Sequence, residues 1–166
     1  MGEGTIATAA APPVSDTDYV QLSRLVTEAA WRVDIGQADT LHELFVDDGE
    51  LIVPPTNLRG RQAIREWGRR LVDAQTYHCI RHVCGNMRFV VDGANGAEGT
   101  TVLTVFMVAG QGAATTLPWT VGEDHDHFVR TEDGWRFVSR RWVELFMRQE
   151  PLSIPSSNRF SCTQPV

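Results

Sequence analysis

The sequence predicts an α+β domain in which three N-terminal helices pack against a curved antiparallel sheet that encloses one pocket. Two observations predict it. Apolar residues recur at helical spacing over the first part of the chain, and from Thr76 onward the pattern shifts to Val-, Phe-, Thr- and Trp-rich strands. A length of 166 residues, with 42% apolar and 22% charged side chains, allows one domain with a real core and little room for two.

Each element has its own signal. Ser15-Asp16-Thr17-Asp18 supplies capping oxygens and early negative charge for a first helix, whose apolar face is Leu22, Val26, Ala29, Ala30 and Val33. It should run to about Ile35 and stop at Gly36. Asp39 is expected to cap a short second helix containing Leu41, Leu44 and Phe45. Asp47-Asp48-Gly49 turns the chain into a short strand, Glu50 to Val53, ended by Pro54-Pro55. A third helix, Arg61 to Val72, turns Ile64, Trp67, Gly68 and Leu71 inward. Four long strands follow over Thr76–Val91, Glu98–Ala109, Trp119–Arg130 and Trp135–Met147, with Asp92-Gly93 and Asp133-Gly134 as turns. Gly110 to Ala114 reads as a longer flexible connection.

Composition excludes several function classes. The net charge is −6 and every cation is an arginine, spread along the chain, so phosphate neutralisation and nucleic-acid binding are not expected. The longest apolar run, Val102 to Ala109, is too short to span a bilayer. Residues 1–14, rich in Ala, Gly, Thr and Pro, lack the basic start and apolar core of a signal peptide; a disordered leader and a cytoplasmic protein are expected. Cys79, Cys84 and Cys162 show no CxxC spacing and are expected as free thiols.

Four stretches, in order, carry a family resemblance. They are Trp31–Asp39 with Leu44-Phe45-Val46-Asp47-Asp48, then Leu58–Ile64 with its Gly60-Arg61, then Arg81-His82-Val83-Cys84-Gly85-Asn86, and finally Phe128–Phe137. Together they resemble the SnoaL-like (nuclear transport factor 2-like) superfamily. The resemblance implies a cone-shaped domain over residues 15–147, with the C-terminal tail 148–166 either disordered or a lid anchored by Phe160. It also implies an acid–base pair, Asp34 and His82, because dehydratases of this family place an Asp and a His at these motif positions. A carboxylate orients the imidazole and stabilises its charged form while the imidazole moves a proton near neutral pH.

The chain departs from its relatives elsewhere. Ala29 stands where the dehydratases carry a tyrosine, and the strand stretch Thr104–Met107 lacks their further pocket aspartate. Leu51-Ile52-Val53-Pro54 lacks the acidic base of the steroid isomerases, and the Asp-Arg-Asp arrangement of the epoxide hydrolases is not visible.

Alternation along the first long strand places His82, Cys84 and Asn86 on one side, so Asn86 joins the expected substrate contacts. Tyr19, Trp31, Phe106 and Trp142 are further candidate cavity aromatics. One face of Asp124-His125-Asp126-His127 should enter the pocket, either the aspartates or the histidines, since a bulge would exchange them. Of Arg140 and Arg141, one is expected inside, holding an anionic or carbonyl oxygen. His125 and His127 with Glu132 match part of a cupin-type metal motif, but no later His follows and Trp119 replaces the expected glycine.

The leading expectation is a cofactor-independent cyclase, dehydratase or isomerase of secondary metabolism acting on a polyketide-like or terpenoid-like small molecule. The alternatives are a non-catalytic module binding a small molecule or peptide, and a metal-dependent enzyme centred on His125 and His127. A homodimer is expected from an exposed sheet face, as in many relatives.

Overall fold

A computed structural model describes residues 11–74, 79–107 and 117–147. The expected connection Gly110–Ala114 and the tail 148–166, with its lid, lie outside the described residues, as do residues 1–10 of the leader.

Helix α1 (Asp16–Asp34) starts where the sequence places it. The Ser15 side chain accepts from the Asp18 backbone N–H, and Gly36, at φ 76°, takes the left-handed conformation just beyond the helix end. A 3₁₀ helix, Ala38–Leu44, follows. Gln37, not Asp39, stands at its N-terminus without a side-chain cap, and Phe45 already belongs to the next strand. β1 (Phe45–Val53) is longer than expected and pairs with β2 (Thr56–Arg59), a strand too short to announce itself by alternation. Helix α2 (Arg61–Asp73) then precedes β3 (Ile80–Asp92), β4 (Gly96–Met107), β5 (Thr120–Thr131) and β6 (Gly134–Met147).

The six strands form one sheet in the order β2-β1-β6-β5-β4-β3. The sheet is mixed rather than wholly antiparallel. β1 lies parallel to β6, with Leu51 opposite Arg140, while the other neighbours run antiparallel. Parallel pairing requires a long crossover, here the whole chain between Val53 and Gly134, and leaves no local sequence signal. The edge of β3 is covered by part of the segment expected as a disordered leader. Val91 N–H donates to Pro12 O, and Val14 N–H donates to Phe89 O. An uncovered edge presents unpaired backbone groups, and proline is tolerated in such a short edge segment.

The concave face of the sheet packs on the helices. Leu22, Val26 and Ala29 of α1 and Ile64 of α2 meet Phe45, Leu51, Phe89, Phe128 and Phe137 in one core. Phe45–Phe137 and Phe128–Phe137 ring centroids are each 5.1 Å apart. Asp18 fastens the start of α1 to the β5–β6 hairpin by accepting from Trp135 Nε1 at 3.1 Å and from Arg130. No described helix is long and apolar enough to cross a membrane.

Gly68 is needed where α2 crosses the 3₁₀ helix. A Cβ there would lie 2.1 Å from the Ala38 carbonyl oxygen, which belongs to backbone and cannot swing away. Gly68→Ala is therefore expected to lower unfolding free energy by about 1–3 kcal/mol, despite alanine's better helix propensity. Urea denaturation of the purified variant checks this.

Candidate functional site

The helices and the curved sheet enclose a cavity of about 260 Å³. Its walls are mostly apolar. Ala29, Ala30 and Val33 come from α1, Trp67 from α2, and Leu103, Val105 and Met107 from alternate positions of β4. Trp142 of β6 closes one side, lying across Gly122, where an added Cβ would come within 2.6 Å of the indole. Among the described lining residues, only His82, Asp124 and Arg140 are titratable.

Asp34 and His82 meet, although 48 positions separate them. Asp34 is the last residue of α1 and is buried there. Its Oδ1 lies 2.6 Å from His82 Nδ1, and its Oδ2 accepts from the His82 backbone N–H at 3.0 Å. The carboxylate thus fixes both the ring and the strand that carries it. Arg81 Nη1 adds a donor to the Asp34 carbonyl oxygen at 2.9 Å, which ties the helix end to β3. With Nδ1–H donating to the carboxylate, Nε2 is the ring nitrogen left to act as base toward the cavity.

A second polar pole is built by β5 and β6. Arg140 Nη2 donates to Asp124 Oδ2 at 2.6 Å, and its Nε lies 3.4 Å from Asp126 Oδ1. The guanidinium also sits 4.8 Å from the Phe137 ring centroid. All three ionisable residues are buried. The sheet thus brings two aspartates and an arginine together, although only Asp124 and Arg140 border the cavity. Asp126 has no hydrogen-bonded partner for either carboxylate oxygen. Burial pushes its carboxyl up to about 8, against the pull of Arg140 and with the help of the Asp124 charge.

Raising that carboxyl has a stability consequence. The folded protein holds the Asp126 proton more tightly than the unfolded chain, whose carboxyl titrates near 3.8. Stability from this group is full below about 4 and is lost as pH rises toward about 8, with a slope of up to ~1.4 kcal/mol per pH unit. Asp126→Asn, neutral throughout, is expected to flatten that part of the profile. Urea titrations at pH 5 and pH 7.5 of both proteins measure the difference.

Several expected contacts lie elsewhere. β5 turns Asp124 and Asp126 inward, so His125 and His127 face solvent. There His125 Nε2 pairs with Glu123 at 3.0 Å, and His127 Nδ1 is 3.8 Å from Glu98. A metal enzyme centred on these histidines loses its connection to the cavity. Asn86 is exposed because a bulge between Gly85 and Arg88 interrupts the alternation, with Asn86 itself at φ 45°. Phe106 falls on the opposite face of β4 from Leu103, Val105 and Met107. Trp31 is 54% exposed on the outer side of α1, over a shallow depression beside Arg24 and Glu28. Tyr19 packs edge-on against Phe89 and donates to Met87 O at 3.3 Å, away from the cavity.

Sequence reasoning left open whether Asp124 and Asp126 or the two histidines turn inward, and it did not pick out Trp67, Met107 and Trp119 as cavity walls. The last three carry the same inward alternation or helical spacing as the core, so nothing in their pattern separates pocket from packing. Cys84 is a free thiol that burial raises to about 11, so it is protonated near neutral pH. Cys79 is disulfide-bonded, which corrects the expectation that all three cysteines are free.

Among solved structures, an NTF2-like protein with a cystatin-like fold from Novosphingobium aromaticivorans is 27% identical, with a TM-score of 0.67 over 78% of this chain and 82% of that one. Aln2 from a Streptomyces species is 22% identical, with a TM-score of 0.67 over 80% and 94%. A second N. aromaticivorans protein, provisionally described as a scytalone dehydratase, is 16% identical, with a TM-score of 0.68 over 86% and 95%. No curated protein matches the chain. The SnoaL-like domain profile matches residues 16–141, from the first residues of α1 to the strand that carries Arg140. That match spans most of the chain, which therefore belongs to the SnoaL-like domain family.

Proposed function

We propose that this chain is a cofactor-independent acid–base enzyme, a cyclase, dehydratase or isomerase, acting on a polyketide-like or terpenoid-like molecule. The observation that carries the proposal is the Asp34–His82 pair, whose imidazole lies on the wall of a mostly apolar cavity. His82 Nε2 takes a proton from a carbon beside a substrate carbonyl, and Asp34 stabilises the imidazolium that forms. Arg140, on the cavity wall, donates a hydrogen bond to the carbonyl oxygen as negative charge develops there. The proton returned by His82 either protonates the enolate at a new position or leaves with a departing hydroxide as water. Trp142, Trp67 and Met107 supply shape, which holds a flexible chain in one folded conformation for ring closure.

The description of one structural neighbour as a scytalone dehydratase supports hydroxylated tetralones as first substrates to try. The test follows water loss or ring closure spectroscopically across a panel of hydroxytetralones and linear β-polyketones. His82-dependent turnover of any member supports the proposal. Saturable binding with no product across the panel favours the non-catalytic module instead.

A further inference from the structure

Arg140 is the only arginine among the described residues that line the cavity, and its charge is already matched. Asp124 lies 2.6 Å from it, with both side chains 8% exposed. Asp126 stands on the guanidinium's Nε side and Phe137 on its face. At the other pole the Asp34 carboxylate backs His82. With Asp126 protonated, the Arg140–Asp124 pair cancels. A ligand carboxylate entering this interior would have to share one guanidinium with Asp124, out of water. Low-dielectric surroundings make such a mismatch costly, whereas a neutral carbonyl needs only a hydrogen-bond donor.

We propose that Asp124 makes the cavity selective for uncharged ligands, by holding Arg140 in a neutral pair so that a ketone, ester or phenol enters and the matching carboxylate does not. This rests on the reading of the cavity as the substrate site and narrows the substrate class. A free acid would have to be masked before it reached this protein, so the reaction that supplies the substrate yields an ester, lactone or ketone rather than an acid.

The experiment is calorimetric titration of the full chain at pH 7 with methyl 1-naphthoate, 1-naphthoate and 1-naphthylmethylammonium. The ester is expected to bind at least about tenfold tighter than the carboxylate, and the ammonium no weaker than the carboxylate. Asp124→Asn exposes the Arg140 charge and is expected to shrink the ester-to-carboxylate ratio about tenfold. Because the two probes' desolvation difference is common to both proteins, that change reads the Arg140 charge. Asp126→Asn, replacing a group already neutral, is expected to leave the ratio as it is. A carboxylate that binds as tightly as the ester, a carboxylate tighter than the ammonium, an unchanged ratio in folded Asp124→Asn, or no binding by any probe overturns the proposal. If Asp124→Asn does not fold, the order of the three probes on the unaltered protein decides it. Ester selectivity without His82-dependent turnover keeps this inference and removes the acid–base reading. His82-dependent turnover with carboxylate preference does the reverse.

Discussion

Replacing His82 with alanine lowers kcat on a responding hydroxytetralone by about 10²–10⁴-fold, the usual contribution of one positioned general base. KM changes little, because the apolar walls that hold the substrate are left in place. Asp34→Asn is expected to lose activity to a similar order. The amide offers only one acceptor oxygen where the carboxylate now serves both the Nδ1–H and the backbone N–H of His82. The two residues act as one unit, so the double variant falls no further than the worse single variant. Steady-state kinetics on the four proteins measure the coupling. Additive losses would mean that the residues serve separate functions, and full activity in both single variants would remove the pair from the chemistry.

The largest stability effect is expected at Arg140. Arg140→Met leaves the Asp124 charge buried beside a second carboxyl and is expected to cost about 3–5 kcal/mol. Adding Asp124→Leu and Asp126→Leu to the same protein should recover most of that loss, since an apolar trio needs no compensating charge. An exposed pair offers the contrast. Arg69 and Asp73 lie 3.2 Å apart with both side chains 64% exposed, and Arg69→Ala should cost at most about 1 kcal/mol. Urea denaturation followed by tryptophan fluorescence and by circular dichroism tests both.

The helices and the long strands were legible because each carries a period that only one backbone conformation satisfies. Asp34 and His82 were legible for a different reason: each sits in a local motif of the family, one at a helix end and one on a strand. What faces the cavity on β5 was not legible, because strand alternation fixes parity only up to the nearest bulge. β5 has register shifts at Val121/Gly122 and at His127/Phe128, one on each side of the four residues in question. Asn86 was misplaced by the same effect on β3. Trp31 and Tyr19 lie on an amphipathic helix whose wheel has a broad apolar edge, and aromatic character alone does not say which side of that edge is covered. The parallel β1–β6 pairing, and with it the meeting of Leu51 and Arg140, depends on the whole topology and appears in no short window.

That pairing also sets when the site comes into being. β1 leaves the ribosome early and β6 late, yet the register of Leu51 against Arg140 joins them side by side. Until Gly134–Met147 has been made, the first strand has only β2 beside it, and the cavity lacks both Arg140 and Trp142. Contacts between such distant parts of a chain form slowly, because the loop must close before they repay it. The segment Pro12–Val14 covers the far edge of the finished sheet and not this inner one, so association with other chains is expected to be greatest in the interval before β6 docks.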